Sequence, residues 1–153
     1  MKRWVIEMSK QNMEEILRKK GRVVTTAVGI SMLPCIQPQK DILVLEKSDR
    51  INVLDVVLFR RKNGSYVLHR VLDIQPEGYV LCGDSEYKKE YGVENEQILG
   101  ILKGFYRGEK YIDCEKNRWY KMYVKIWCSS LILRKGILQC GRILWKIKRK
   151  MNL

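Results

Sequence analysis

The residues in this sequence best suited to covalent chemistry are a serine in a loop and a solitary histidine. Ser31 stands in Gly29-Ile30-Ser31-Met32-Leu33-Pro34, where Pro34 biases Leu33 toward an extended backbone and a loop would present the hydroxyl. A seryl hydroxyl has little nucleophilicity until a positioned base takes its proton. The one histidine of the chain, His69, lies within Tyr66-Val67-Leu68-His69-Arg70-Val71. On a strand its side chain shares a face with Val67 and Val71, which sets the imidazole beside an apolar wall. Taken singly, neither residue specifies catalysis. Together they would support acyl transfer, with the hydroxyl attacking, the imidazole as general base and backbone N–H groups receiving the oxyanion.

Other chemistries find less support. The five cysteines, Cys35, Cys82, Cys114, Cys128 and Cys140, are odd in number and form no C-x-x-C pair, and one histidine is too few for the usual clustered zinc spacings. No metal and no organic cofactor are implied, and a reducing compartment fits these thiols best. Cys35, four residues past Ser31, has no second base to activate it.

The elements that must position Ser31 and His69 read as a mostly β domain. Around Ser9 to Lys20, Met13, Ile16 and Leu17 recur at helical spacing, basic residues crowd the last turn and Gly21 offers a stop, so a short amphipathic helix is predicted. Strands are predicted over Asp41–Lys47, Asp55–Arg61, Tyr66–Ile74, Tyr79–Cys82, Ile98–Tyr106 and Lys110–Cys114. Asn63-Gly64, Pro76-Glu77-Gly78 and Arg107-Gly108-Glu109 supply the turn chemistry between them. Short strands at this spacing suggest a compact antiparallel β-domain.

At 153 residues the chain has room for one domain with a real core plus extensions. We divide it into a basic N-terminal segment with the short helix, residues 1-22, a β-domain, 23-115, and a C-terminal extension, 116-153. The formal net charge of +13 is uneven: residues 23-115 are nearly balanced, whereas residues 116-153 carry 11 basic side chains and no acidic one. On a helix Lys121, Lys125, Lys135, Arg142, Lys146, Arg149 and Lys150 fall within an arc of roughly 120°, with Ile126, Leu133, Ile137, Leu144 and Ile147 broadly opposite. Trp119, Trp127 and Trp145 add rings suited to a membrane-water boundary. This amphipathic basic extension is expected either to pack on its own domain or to meet an anionic membrane surface through residues 118-150; nucleic acid is the weaker partner. Met1 to Gly21 lacks the apolar core of a secretory signal, and no stretch has the uncharged length of a membrane-spanning helix. The expected location is therefore cytoplasmic, or peripheral at the inner face of the membrane.

Four short segments occur in a telling order: Ser31-Met32-Leu33-Pro34, Asp55-Val56-Val57-Leu58-Phe59, Leu68-His69-Arg70-Val71 and Gly83-Asp84-Ser85. Their succession and spacing resemble the conserved boxes of the signal peptidase I family over roughly residues 21-107. His69 followed by Arg70 resembles the Ser-His members, as distinct from those with a lysine base. The resemblance implies a signal-peptidase/LexA-like β-fold with Ser31 as nucleophile and His69 as base. It further implies Asp84 as the acid that orients or stabilises the imidazolium, and Glu90 as an accessory acid. The Ser31 backbone N–H is the implied oxyanion donor, with Ile30 and Met32 flanking it at the substrate. Many relatives have a hydroxyl residue where this chain has Gly29, and Gly-Asp where it has Lys40-Asp41. LexA-type autopeptidases share the fold, but use lysine as base and carry a DNA-reading domain for which some 25 leading residues leave no room.

The expected activity is thus serine endopeptidase cleavage of a precursor or leader peptide. Family members are tethered by an N-terminal membrane anchor; for this chain a soluble precursor, or attachment through the basic tail, is expected instead. The rivals are a peptide-binding module without turnover and a membrane-surface adaptor whose tail is the functional part.

Overall fold

The computed structural model describes residues 10-129 and Gly136, and the remainder of the C-terminal extension lies outside them. Helix α1 (Lys10–Lys20) buries Leu17 and ends where Gly21, at φ 69°, donates its N–H to the Leu17 carbonyl. Eight strands follow: β1 (Arg22–Thr26), β2 (Ile42–Glu46), β3 (Val56–Arg60), β4 (Tyr66–Gln75), β5 (Gly78–Cys82), β6 (Glu90–Val93), β7 (Ile98–Arg107) and β8 (Lys110–Asp113). Helix α2 (Arg118–Ser129) completes the described chain; Asn117 caps it, its side-chain oxygen accepting the Tyr120 N–H at 2.9 Å.

All pairings are antiparallel, in the order β1-β2-β7-β3-β4-β5-β6. β8 pairs with the end of β7, along the edge that β3 leaves. The mostly β antiparallel reading therefore holds, with two strands more than the sequence suggested. β1 and β6 were not anticipated, and the other strand limits shift by a residue or so.

Both faces of the sheet are covered near its middle, which explains why β3 is a continuous apolar run. Val56 and Leu58 point into one cluster with Leu17, Met32, Ile36, Leu43, Leu45, Leu102 and Phe105. Val57 and Phe59 point into another with Val71, Leu81, Val93 and Ile101. Successive residues of β4 obey the same two-residue alternation. His69 pairs across from Val57 and its ring lies 5.9 Å from that of Phe59, whereas Arg70 pairs across from Val56 and faces Cys35 and α2.

Arg70 is wholly buried, and so is Asp84. The guanidinium donates to both Asp84 carboxylate oxygens, at 2.8 and 2.7 Å, and further to the Leu54 carbonyl, the Tyr120 hydroxyl and Cys35 Sγ. Burial works against the guanidinium charge, but the hydrogen bonds and charge of Asp84 prevail and hold its pKa well above the ordinary value. In Asp84→Asn the guanidinium stays buried and loses its counter-charge, and stability is expected to fall by about 3–5 kcal/mol in urea denaturation. A variant as stable as wild type would show that the pair does not hold these segments together.

Candidate active site

The connection from β1 to β2 carries Ser31. It leaves the terminal strand, turns at Ser31–Cys35 and buries Met32, Cys35 and Ile36 in the core, while Val28 and Ile30 stand outward and exposed. At its far end Asp41, fully buried, accepts two hydrogen bonds from Arg107 and one from the Gln37 N–H. Arg107 also donates to the Cys35 carbonyl. The loop is thus fixed on both sides of the serine by burial and by charge, and the Lys40-Asp41 departure still supplies a structural aspartate.

This connection crosses to the segment after β5, although four strands separate β1 from β5 in the sheet. The Ser85 N–H donates to the Ser31 carbonyl at 2.8 Å, and the Ser85 hydroxyl donates to the Ile30 carbonyl at 2.9 Å. Gly83 marks the point of closest approach. A Cβ there would lie 3.0 Å from Ser31 Cβ, 3.1 Å from His69 Nε2 and 2.7 Å from the Ser31 carbonyl oxygen. Ser31 Cβ and His69 Nε2 are therefore no more than about 6 Å apart, on either side of a gap that only glycine leaves open. Residues 38 positions apart in sequence are brought near one another at Gly83.

Among the described residues no hydrogen bond joins the Ser31 hydroxyl to the imidazole. The carboxylate of Glu86 stands 3.6 Å from His69 Nε2 instead. On the other side of the ring Nδ1 is 2.9 Å from Glu90 Oε1, not aligned as a well-formed hydrogen bond, so the carboxylate stands ready to favour the ring once it is protonated. Alignments of this kind commonly tighten only when substrate is present. Glu90 is itself clamped by Arg61, whose Nε and Nη2 donate to its two oxygens at 2.8 and 2.6 Å. The Arg61 hydrogen bond also holds the Glu90 carboxyl below the usual carboxylate range.

The imidazole is 1% exposed. Burial is the largest influence on it and lowers its pKa from the ordinary value; Glu86 and Glu90 push the other way, and Arg61 adds to the lowering. A base held neutral by its surroundings is ready to accept a proton near neutral pH. Nearby thiols are the reverse of activated, since burial pushes Cys35 up to about 12 and Cys114 to about 11.

The two acids singled out in the sequence occupy different places. Glu90 lies beside Nδ1, and the carboxylate of Asp84 is gripped by Arg70. Arg61, Glu86 and α2 were not foreseen as parts of the site. Of the oxyanion candidates, the Met32 side chain is core and the Ile30 side chain is exposed. Among the described residues neither the Ser31 nor the Met32 N–H donates a hydrogen bond within the chain. A separate surface hollow of about 700 Å³, lined by Glu14, Glu15, Arg18, Arg60, Gly64 and Tyr66, includes none of these residues. Among the described residues no group of histidine, cysteine and carboxylate side chains is arranged to hold a metal ion.

Gly83→Ala tests the convergence directly. The added methyl meets backbone at 2.7 Å, so Ser31 and His69 must separate. Stability is expected to fall by about 1–3 kcal/mol in urea denaturation, because the packed Ser31 segment must shift to admit the methyl. Unchanged stability would mean that the close approach at Gly83 does not constrain the two segments.

A scan of the chain against models of known protein families finds no match, nor does a search of curated proteins or of solved structures.

Proposed function

We propose that the chain is a serine endopeptidase of the Ser-His kind, resembling signal peptidase I, which cleaves a precursor or leader peptide through an acyl-enzyme on Ser31. The observation that carries this reading is the convergence of Ser31 and the His69 imidazole on Gly83. In the proposed reaction the Ser31 hydroxyl passes its proton to Nε2 and attacks the scissile carbonyl carbon. The resulting oxyanion is received by the N–H groups of Ser31 and Met32. The imidazolium then protonates the departing amine, leaving an ester on Ser31, and neutral His69 next takes a proton from the water that hydrolyses it. Glu90, held by Arg61, stabilises the transient positive charge beside Nδ1. The Glu86 carboxylate must move off Nε2 for the serine to engage. Strand β1, terminal among the described strands, runs straight into the Ser31 loop and offers its outer edge to an extended peptide.

A fluorophosphonate or boronic-acid probe should label the wild type at Ser31 and leave Ser31→Ala and His69→Ala essentially unlabelled. Since only neutral imidazole accepts the proton, the labelling rate should fall as pH drops through the His69 pKa, which burial places below the ordinary ~6.5. Glu90→Gln removes a charge that raises this pKa, so the acid limb should move to still lower pH. A wild type that stays unlabelled favours a peptide-binding module that keeps the edge strand without turnover, and Glu86 beside Nε2 suits that rival.

The proposed workplace is the cytoplasmic face of a membrane, reached through α2. No helix among the described residues is long and apolar enough to cross a bilayer. Yet the apolar side of α2 is only partly covered. Tyr120, Tyr123, Val124 and Trp127 pack inward, while Trp119 (76%), Met122 (46%) and Ile126 (67%) are exposed at helical spacing, flanked by exposed Arg118, Lys121 and Lys125. Apolar rings and aliphatic side chains beside positive charge fit the headgroup region of an anionic leaflet. The sequence-based helix placed Ile126 opposite Lys121 and Lys125, as it does here; the other positions used in that reading lie outside the described residues. Replacing Trp119, Met122 and Ile126 together by serine is expected to abolish sedimentation with phosphatidylserine vesicles without unfolding the domain. Unchanged sedimentation, or none by the wild type, would remove α2 as the attachment surface.

A further inference from the structure

We propose that Trp127 is a positioning residue for the nucleophile, acting through the peptide bond between Asp84 and Ser85. The inference rests on the peptidase reading of Ser31, but its physical content is local. The Trp127 indole Nε1–H donates to the Asp84 carbonyl oxygen at 2.9 Å. The N–H of the same planar unit, that of Ser85, donates to the Ser31 carbonyl at 2.8 Å. One rigid plane is therefore held by α2 at its oxygen and holds the serine at its nitrogen.

The surroundings leave this plane little other freedom to define its tilt. The Asp84 side chain fixes the position of the residue through its two hydrogen bonds from Arg70, while the carbonyl sets the rotation of the following peptide. Gly83, one residue earlier, is the contact point of Ser31 and His69, and the Ser85 hydroxyl reaches the Ile30 carbonyl. A rotation of the Asp84–Ser85 plane swings its N–H away from Ser31 and loosens both contacts on the residue before and at the nucleophile. Polarisation works in the same direction, because a carbonyl that accepts a hydrogen bond makes the N–H across the peptide a better donor. Trp127 is well placed to hold its end. Its ring stacks on Tyr123 with centroids 5.9 Å apart and planes 20° from parallel, and about two turns earlier Tyr120 lies over the Arg70 guanidinium. Helix α2 thus grips the segment of residues 83-85 through both its backbone and the partner of its side chain.

Trp127→Phe keeps an aromatic ring against Tyr123 and removes only the donor. Amide exchange of the full chain, followed residue by residue, should show Ser85 N–H exchanging ~10-fold or more faster, with the amides of β3 unchanged. Phosphonylation of Ser31 should slow by ~10- to 100-fold, with the acid limb of its pH profile unmoved, because Glu86, Glu90 and Arg61 still surround His69. Ser85 exchange equal to wild type overturns the proposal, as does an unchanged labelling rate or a loss of protection spread evenly over the sheet. A wild type that is not labelled at all overturns the peptidase reading; Ser85 exchange then still decides whether Trp127 holds the plane.

Discussion

The architecture around the site depends on a single buried ion pair. Arg70 and Asp84 have no exposed surface, and their pairing joins β4 to the segment after β5. Two ions in such a place are tolerable only when their hydrogen-bonding capacity is largely met. Arg70 meets its own with the carboxylate, the Leu54 carbonyl, the Tyr120 hydroxyl and Cys35, so the pair draws a loop, a helix and the serine-bearing connection toward one centre. A hydrophobic pair of equal volume could fill the space, but would not dictate which backbone groups meet there.

The two acids have different partners. One carboxylate, Asp84, is spent on scaffolding, while Glu90 attends the imidazole and is steadied by Arg61 from the end of the hairpin. A glutamate bridges the longer distance from β6, and its guanidinium partner fixes which way the longer side chain leans. The result is an imidazole flanked by two negative charges and still kept neutral by burial, a balance in which desolvation outweighs both carboxylates.

Much of this was legible in the sequence where the signal is local. Six strands and α1 follow from alternation, β-branched runs and turn residues, and the two-residue period set His69 beside Val67 and Val71, as the core cluster bears out. Strand β1, Arg-Val-Val-Thr-Thr, escaped notice because its residues do not alternate; β6 is four residues long and includes Gly92 at φ 63°. The contact of Arg61 with Glu90 spans 29 residues and has no sequence mark, since an arginine ending a strand normally reads as solvated. For Ser31 and His69, types and order suggested the pairing, but the crossing of the β1–β2 connection to Gly83, past four intervening strands, depends on the course of the whole sheet. The extension reads as a basic helix with an apolar side opposite; over residues 118-129 that side is broad enough that Tyr120, Tyr123, Val124 and Trp127 pack inward while Trp119, Met122 and Ile126 stay exposed.

His69 and Arg70 are neighbours in the chain and face opposite sides of the sheet, one toward Glu86 and Glu90 and one toward Asp84. Strand β4 is entered through the turn after Arg61, and the pleat leaves it no third direction. Lengthening that turn by one residue, with the strand slipping to accommodate it, would deliver a permanently charged guanidinium to Gly83, Glu86 and Glu90 and turn the titratable ring toward Asp84. Hairpin length in this molecule is therefore a chemical variable: it decides which of two adjacent side chains faces Ser31.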